Sequence, residues 1–141
     1  MKKLLSLTLI ICLIATCVIA LASCNSQENK MVGTYEMVSI SGTITYNGTT
    51  VQLEEDLYEY YRIILNKDGS CAIESKGKAN TSKVEQEGTW EYENDTLKIK
   101  TNSSGITVVE EMQWKDGTIT YNAEQNASGM KIKMSLILEK Q

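Results

Sequence analysis

The chain has 141 residues, 14 basic against 18 acidic side chains for a net charge of −4, four cysteines, and no histidine, proline or phenylalanine. The missing imidazole excludes Ser-His-Asp and Cys-His nucleophile chemistry and the usual zinc sites, all of which need it as base or ligand. The acidic balance argues against nucleic acid as a partner, and the length suits one domain with one core.

Lys2 and Lys3 precede an eighteen-residue apolar run, Leu4 to Leu21, that closes in Leu21-Ala22-Ser23-Cys24. A basic start, an apolar middle and small residues before a cut are the parts of a secretory signal peptide. The Leu-Ala-Ser-Cys ending resembles the bacterial lipobox. That resemblance implies cleavage before Cys24 and a diacylglyceryl group on its sulfur, so that the lipid on Cys24 is the membrane partner. The alternative for the same run is an uncleaved anchor, since about 18 apolar residues approach bilayer-spanning length. Two acyl chains hold a protein stably where one holds it marginally. The expected organisation is a signal peptide over 1–23, a polar tether over 24–30 and one domain over 31–141, on the extracytoplasmic face of the cell membrane. Losing residues 1–23 removes Lys2 and Lys3 and no acid, which leaves 12 basic and 18 acidic side chains, net −6.

Beyond the tether the dominant period is two. Val84-Glu85-Gln86-Glu87-Gly88-Thr89-Trp90-Glu91-Tyr92-Glu93 puts Val84, Trp90 and Tyr92 on one face and its glutamates on the other. Met130 to Glu139 repeats the pattern, as expected of antiparallel strands with one dry and one wet face. Eight strands are expected: Gly33–Ile44, Tyr61–Asn66, Ser70–Lys76, Lys83–Tyr92, Thr96–Asn102, Thr107–Trp114, Thr118–Ala123 and Lys131–Glu139. Asn66-Lys67-Asp68-Gly69, Glu93-Asn94-Asp95 and Lys115-Asp116-Gly117 supply hairpin chemistry between them, because Asp-Gly readily takes the positive φ of tight turns. Asn47-Gly48 is a further turn that would split the first long ribbon. In Leu53 to Tyr61, apolar residues recur at three and four positions behind an acidic start, which predicts a short amphipathic helix between the first two strands, placed to plug one end of a closed sheet.

Cys12 and Cys17 leave with the signal and Cys24 carries lipid, so Cys71 has no intramolecular partner and is expected to be a small buried residue. Glu110 falls in phase with Val108, Met112 and Trp114, which aims a carboxylate inward. A buried acid is costly unless paired. Its expected role is a polar anchor for a ligand amine or hydroxyl, or a hydrogen bond with Tyr35, Tyr92 or Tyr121. Glu54-Glu55-Asp56 and Glu110-Glu111 do not fit glycoside hydrolysis, because neighbours on a strand point to opposite faces. Tyr58, Tyr60 and Tyr61 make the densest aromatic cluster.

Gly33-Thr34-Tyr35 and Gly88-Thr89-Trp90 at strand starts, within eight hairpin-linked strands behind a lipobox, resemble the lipocalin-like domains of bacterial surface lipoproteins. Tyr35 stands in place of that family's tryptophan, and Arg62 is on the second strand. The resemblance implies an eight-stranded antiparallel up-and-down barrel whose lumen is either filled by its own side chains or holds one small ligand. The function expected is non-enzymatic binding of a small apolar or amphipathic molecule, with Glu110, Trp90, Trp114, Tyr92, Tyr121 and Tyr35 as lumen residues. The alternative is a filled barrel that presents its surface to a protein or cell-wall partner. No catalytic residues, metal or cofactor are expected, and a monomer is the expected state.

Overall fold

Two-residue alternation punctuated by turn dipeptides folds into nine antiparallel strands: β1 Gly33–Tyr46, β2 Thr49–Leu53, β3 Tyr58–Leu65, β4 Ser70–Gly77, β5 Val84–Glu93, β6 Thr96–Ser103, β7 Ile106–Lys115, β8 Thr118–Ala127 and β9 Met130–Lys140. This computed structural model describes residues 27–79 and 81–141. The expected signal peptide and Cys24 lie outside the described residues. The chain divides into two units, one ending at Met31, in which residues 27–31 are helical, and the other running from Val32 to Gln141.

Consecutive strands pair from β3 to β9, and β9 returns to β1 along almost its whole length, from Tyr35 opposite Lys140 to Tyr46 opposite Met130. The result is a closed up-and-down barrel of eight strands: β1, β3, β4, β5, β6, β7, β8 and β9. β2 forms a hairpin on the far half of β1, while β3 pairs with its first half. Closure satisfies edge hydrogen bonds that an open sheet would leave bare. Five of the turns place two successive residues at positive φ, at Asn47-Gly48, Asn94-Asp95, Ser104-Gly105, Asp116-Gly117 and Ser128-Gly129. That backbone matches the strand twist.

Two bulges shift the phase. Val38 is extra on β1, between the pairs Met37–Leu138 and Ser39–Ile137. The inward set on β1 is therefore Tyr35 and Met37, then Ile40, Gly42 and Ile44. Glu59 is extra on β3, between Tyr58–Gly77 and Tyr60–Lys76. This explains the main departure from expectation. The helix expected over Leu53–Tyr61 is a single 3-10 turn, Glu55–Leu57, whose residues are exposed and do not plug the barrel. The stripe Leu53, Leu57, Tyr60 and Tyr61 that predicts the helix is not one face of the structure, because Tyr60 and Tyr61 alternate across β3, and the bulge at Glu59 puts Tyr58 on the side of Tyr61 instead.

The strands also bend tightly. A Cβ on Gly88 would stand 2.2 Å from the Lys100 carbonyl oxygen, and one on Gly42 2.0 Å from that of Lys133. Only glycine lets the neighbouring backbones approach so closely. On the outer face Glu74 is buried beneath Lys83 and Arg62, both of which donate hydrogen bonds to it.

Candidate functional site in the open half of the barrel

The inward side chains divide the lumen into a filled half and an open half. At the end closed by the turns after β3, β5 and β7, Tyr35, Ile63, Leu65, Leu97, Ile99, Ile119, Leu136 and Leu138 are fully buried. Aromatic side chains brace this plug. Trp114 donates its indole N–H to the Tyr35 hydroxyl at 2.9 Å and meets the Tyr92 ring edge-on at 6.2 Å. Trp90 donates to the Asn66 carbonyl at 2.8 Å, locking the β3–β4 turn against the plug. Burial raises the Tyr35 hydroxyl above its usual pKa, and the Trp114 hydrogen bond only partly offsets it. Cys71 is also buried here, unpaired, and its thiol is pushed up to about 11 by burial.

Toward the other end the same inward phase continues, but the side chains meet solvent. Met130 is 38 % exposed, Val108 42 %, Val84 54 % and Ile106 68 %. Val84 and Val108 were expected inside, and the alternation is as expected. They emerge because the strands run past the last layer of packing, so no opposing side chains cover them.

Glu110 and Tyr121 lie at the boundary between the halves. The Tyr121 hydroxyl donates to Glu110 Oε1 at 3.1 Å, which is one of the three tyrosine pairings that the sequence allowed. This bond spans a seam. β7 and β8 pair only through Gln113–Thr120, Trp114–Ile119 and Lys115–Thr118, next to their turn. Beyond that point the two strands are joined to their outer neighbours alone, β6 and β9. A surface cavity of about 230 Å³, lined by Thr96, Glu111, Met112, Gln113, Thr120 and Asn122, marks the outer side of the seam.

Tyr61 completes the floor from the opposite wall. β3 lies four strands from β7 in either direction around the barrel, so the charge of Glu110 acts on Tyr61 across the lumen and not along the sheet. Burial raises the Tyr61 hydroxyl far above its usual pKa, with the charge of Glu110 and then Tyr58 and Tyr121 adding to the rise. Tyr121 is pushed up to about 12 by burial first, then by Glu110. Both remain neutral hydrogen-bond donors at any physiological pH. Tyr58 packs edge-on against Tyr61, with ring centroids 5.9 Å apart.

Of the residues that the sequence pointed to, Glu110 and Tyr121 come together at the floor, while Tyr35, Tyr92 and Trp114 form a cluster toward the closed end and Trp90 is buried against the β3–β4 turn. All three residues of the aromatic cluster Tyr58, Tyr60 and Tyr61 stand on β3, which begins three residues before the expected strand start at Tyr61. Ala123, Ile132 and Met134, half-buried on the inner walls of β8 and β9, complete the open half. Glu111, beside Glu110, is exposed on the outer face, so the two carboxylates do not share a cleft. Asp56 pairs with Lys78 on the outside at 2.6 Å. Among the described residues no three His, Cys, Asp or Glu side chains are grouped to hold a metal ion.

No protein-family model matches the chain, and no curated protein matches it. Among solved structures, the crystal structure of an uncharacterized protein from Bacteroides eggerthii DSM 20697 aligns with it at 16 % identity and a TM-score of 0.43, covering 79 % of this chain and 99 % of that one.

Proposed function

We propose that this chain is a lipid-anchored extracytoplasmic lipoprotein whose lipocalin-like barrel binds one small apolar or amphipathic molecule without transforming it. The observation that carries the reading is the half-filled lumen. Apolar inner walls continue beyond the last packed layer and end, at their base, on the hydrogen-bonded pair Glu110–Tyr121. Apolar walls with a few convergent polar groups are the usual make-up of a small-molecule site. The anchor is supported by the basic start, apolar run and Leu21-Ala22-Ser23-Cys24 ending.

The test uses the full chain in phosphatidylcholine nanodiscs, titrated with the apolar fluorophore N-phenyl-1-naphthylamine against empty discs. One saturable site per chain is expected, and it should be lost in Ala123→Phe, which fills the cup from the β8 wall. Absence of saturable binding, or unchanged binding in that variant, would overturn the reading in favour of a filled barrel that presents its surface to a protein or wall partner. Cys24→Ala should leave the protein soluble or unprocessed on membrane fractionation. Normal processing with full membrane retention would refute the lipid anchor.

A further inference from the structure

Charge is distributed unequally between the two faces of this sheet. Following the observed pairings around the barrel, Arg62, Lys76, Lys98, Lys100, Lys131 and Lys133 all fall on the outer phase. Lys140 shares the inner phase but stands at the closed end, opposite Tyr35 and beyond the packed layers. Among the described residues, Glu110 is therefore the only charged side chain on the strands that faces the open half. Among the described residues no lysine or arginine forms an ion pair with it, and its hydrogen-bond partner is the neutral Tyr121.

Resting on the ligand-binding reading above, we propose that the ligand is an amphipathic organic cation, with an ammonium head seated at Glu110 among Tyr58, Tyr61 and Tyr121 and an apolar body along the walls above. Three features favour that head over others. A carboxylate in a partly desolvated site attracts a cation more strongly than it does in water. Tyrosine rings add the attraction of their quadrupole for an ammonium. The third is exclusion. A carboxylate or phosphate head would meet Glu110 as a like charge, and among the described residues no basic side chain lies on the wall of the open half to offset it. The floor therefore selects against fatty acids while its walls accept their chains.

Four-substituted nitrogen suits the floor as well as a primary amine, because ring faces and a negative charge do not require N–H donors. The shared chemistry is a positive nitrogen bearing an apolar substituent. The matched probes are octyltrimethylammonium, 1-octanol and octanoate, which share a tail and differ in the head. They are titrated by calorimetry into the full chain in digalactosyldiacylglycerol nanodiscs, whose neutral sugar head carries no ammonium to compete, with empty discs as blank.

The cation should bind about tenfold tighter than the alcohol, and octanoate more weakly than either. Glu110→Gln should reduce the cation to within about twofold of the alcohol while leaving alcohol binding intact, and Glu110→Asp should restore most of the preference. Equal binding of the three probes, or a preference for octanoate, overturns the cationic head and leaves the cup reading standing. Failure of all three to bind overturns both. A preference that persists unchanged in Glu110→Gln, with the variant's far-ultraviolet circular dichroism unaltered, refutes the role of that carboxylate.

Discussion

Ile99 and Ile106 offer a matched test of the half-filled barrel, because they sit on the inner phase of adjacent strands and differ mainly in burial. Ile99 is 1 % exposed and Ile106 68 %. Ile→Ala removes the same three carbons at both sites. At Ile99 it opens a cavity in the plug, lined by Trp90 and by neighbours that cannot collapse, and the expected loss is about 2–5 kcal/mol. At Ile106 only about a third of the side chain is covered, so at roughly 0.8 kcal/mol per buried methylene the loss is about 0.8 kcal/mol. Both sites share any difference in strand propensity between isoleucine and alanine, so the contrast of at least about 1 kcal/mol is the informative quantity. Urea titration followed by tryptophan fluorescence reads it as a difference in midpoint at constant slope. If Ile106→Ala were as costly as Ile99→Ala, the barrel would be packed to its rim, and the open half, with the binding site proposed on it, would not exist.

The buried Cys71 thiol, pushed up to about 11, should react with a maleimide at pH 8 on the order of 100-fold more slowly in the native protein than after denaturation, because so little thiolate is present. Peptide mass spectrometry assigns the label to Cys71, and rapid native labelling would place that residue outside the plug. Gly88→Ala should destabilise the fold by about 1–3 kcal/mol, since its new methyl would meet the Lys100 carbonyl oxygen at 2.2 Å and force β5 from β6. Ordinary glycine-to-alanine changes at compatible sites stabilise by about 0.4–1 kcal/mol, so a rise in the urea midpoint would refute the close approach. Amides of β7 and β8 that face the seam should exchange hydrogen faster than those of the same strands bonded to β6 and β9, and equal protection would show a continuous ladder across β7 and β8.

Much of the barrel is legible in the sequence because the relevant signals are local. Alternation marks each strand, and Asn47-Gly48, Asn94-Asp95 and Asp116-Gly117 mark hairpins, which make successive strands antiparallel neighbours. Phase alone also turns Glu110 inward and leaves Tyr121 among its possible partners. What phase does not reveal is a change of phase. One extra residue at Val38 moves Ile40 to the inside, and one at Glu59 brings Tyr58 to the same inner side as Tyr61. A bulge depends on the partner strand's register, which is not written in the bulged strand itself.

The division of the lumen is likewise a tertiary result. Identical alternation runs through Ile99 and Ile106, yet only the first meets opposing side chains, because packing depends on which residues the other strands bring to the same level. Strand number sets β3, which carries Tyr61, opposite β7, which carries Glu110, and where β7 parts from β8 the Tyr121–Glu110 hydrogen bond spans the gap. The sequence by itself determined the eight barrel strands, though not the β2 hairpin arm, together with their order and the inward carboxylate, since those follow from nearest-neighbour geometry. Only the closed tertiary structure decided where the core stops and which side chains face that carboxylate across the lumen, since both depend on contacts between residues distant in the chain.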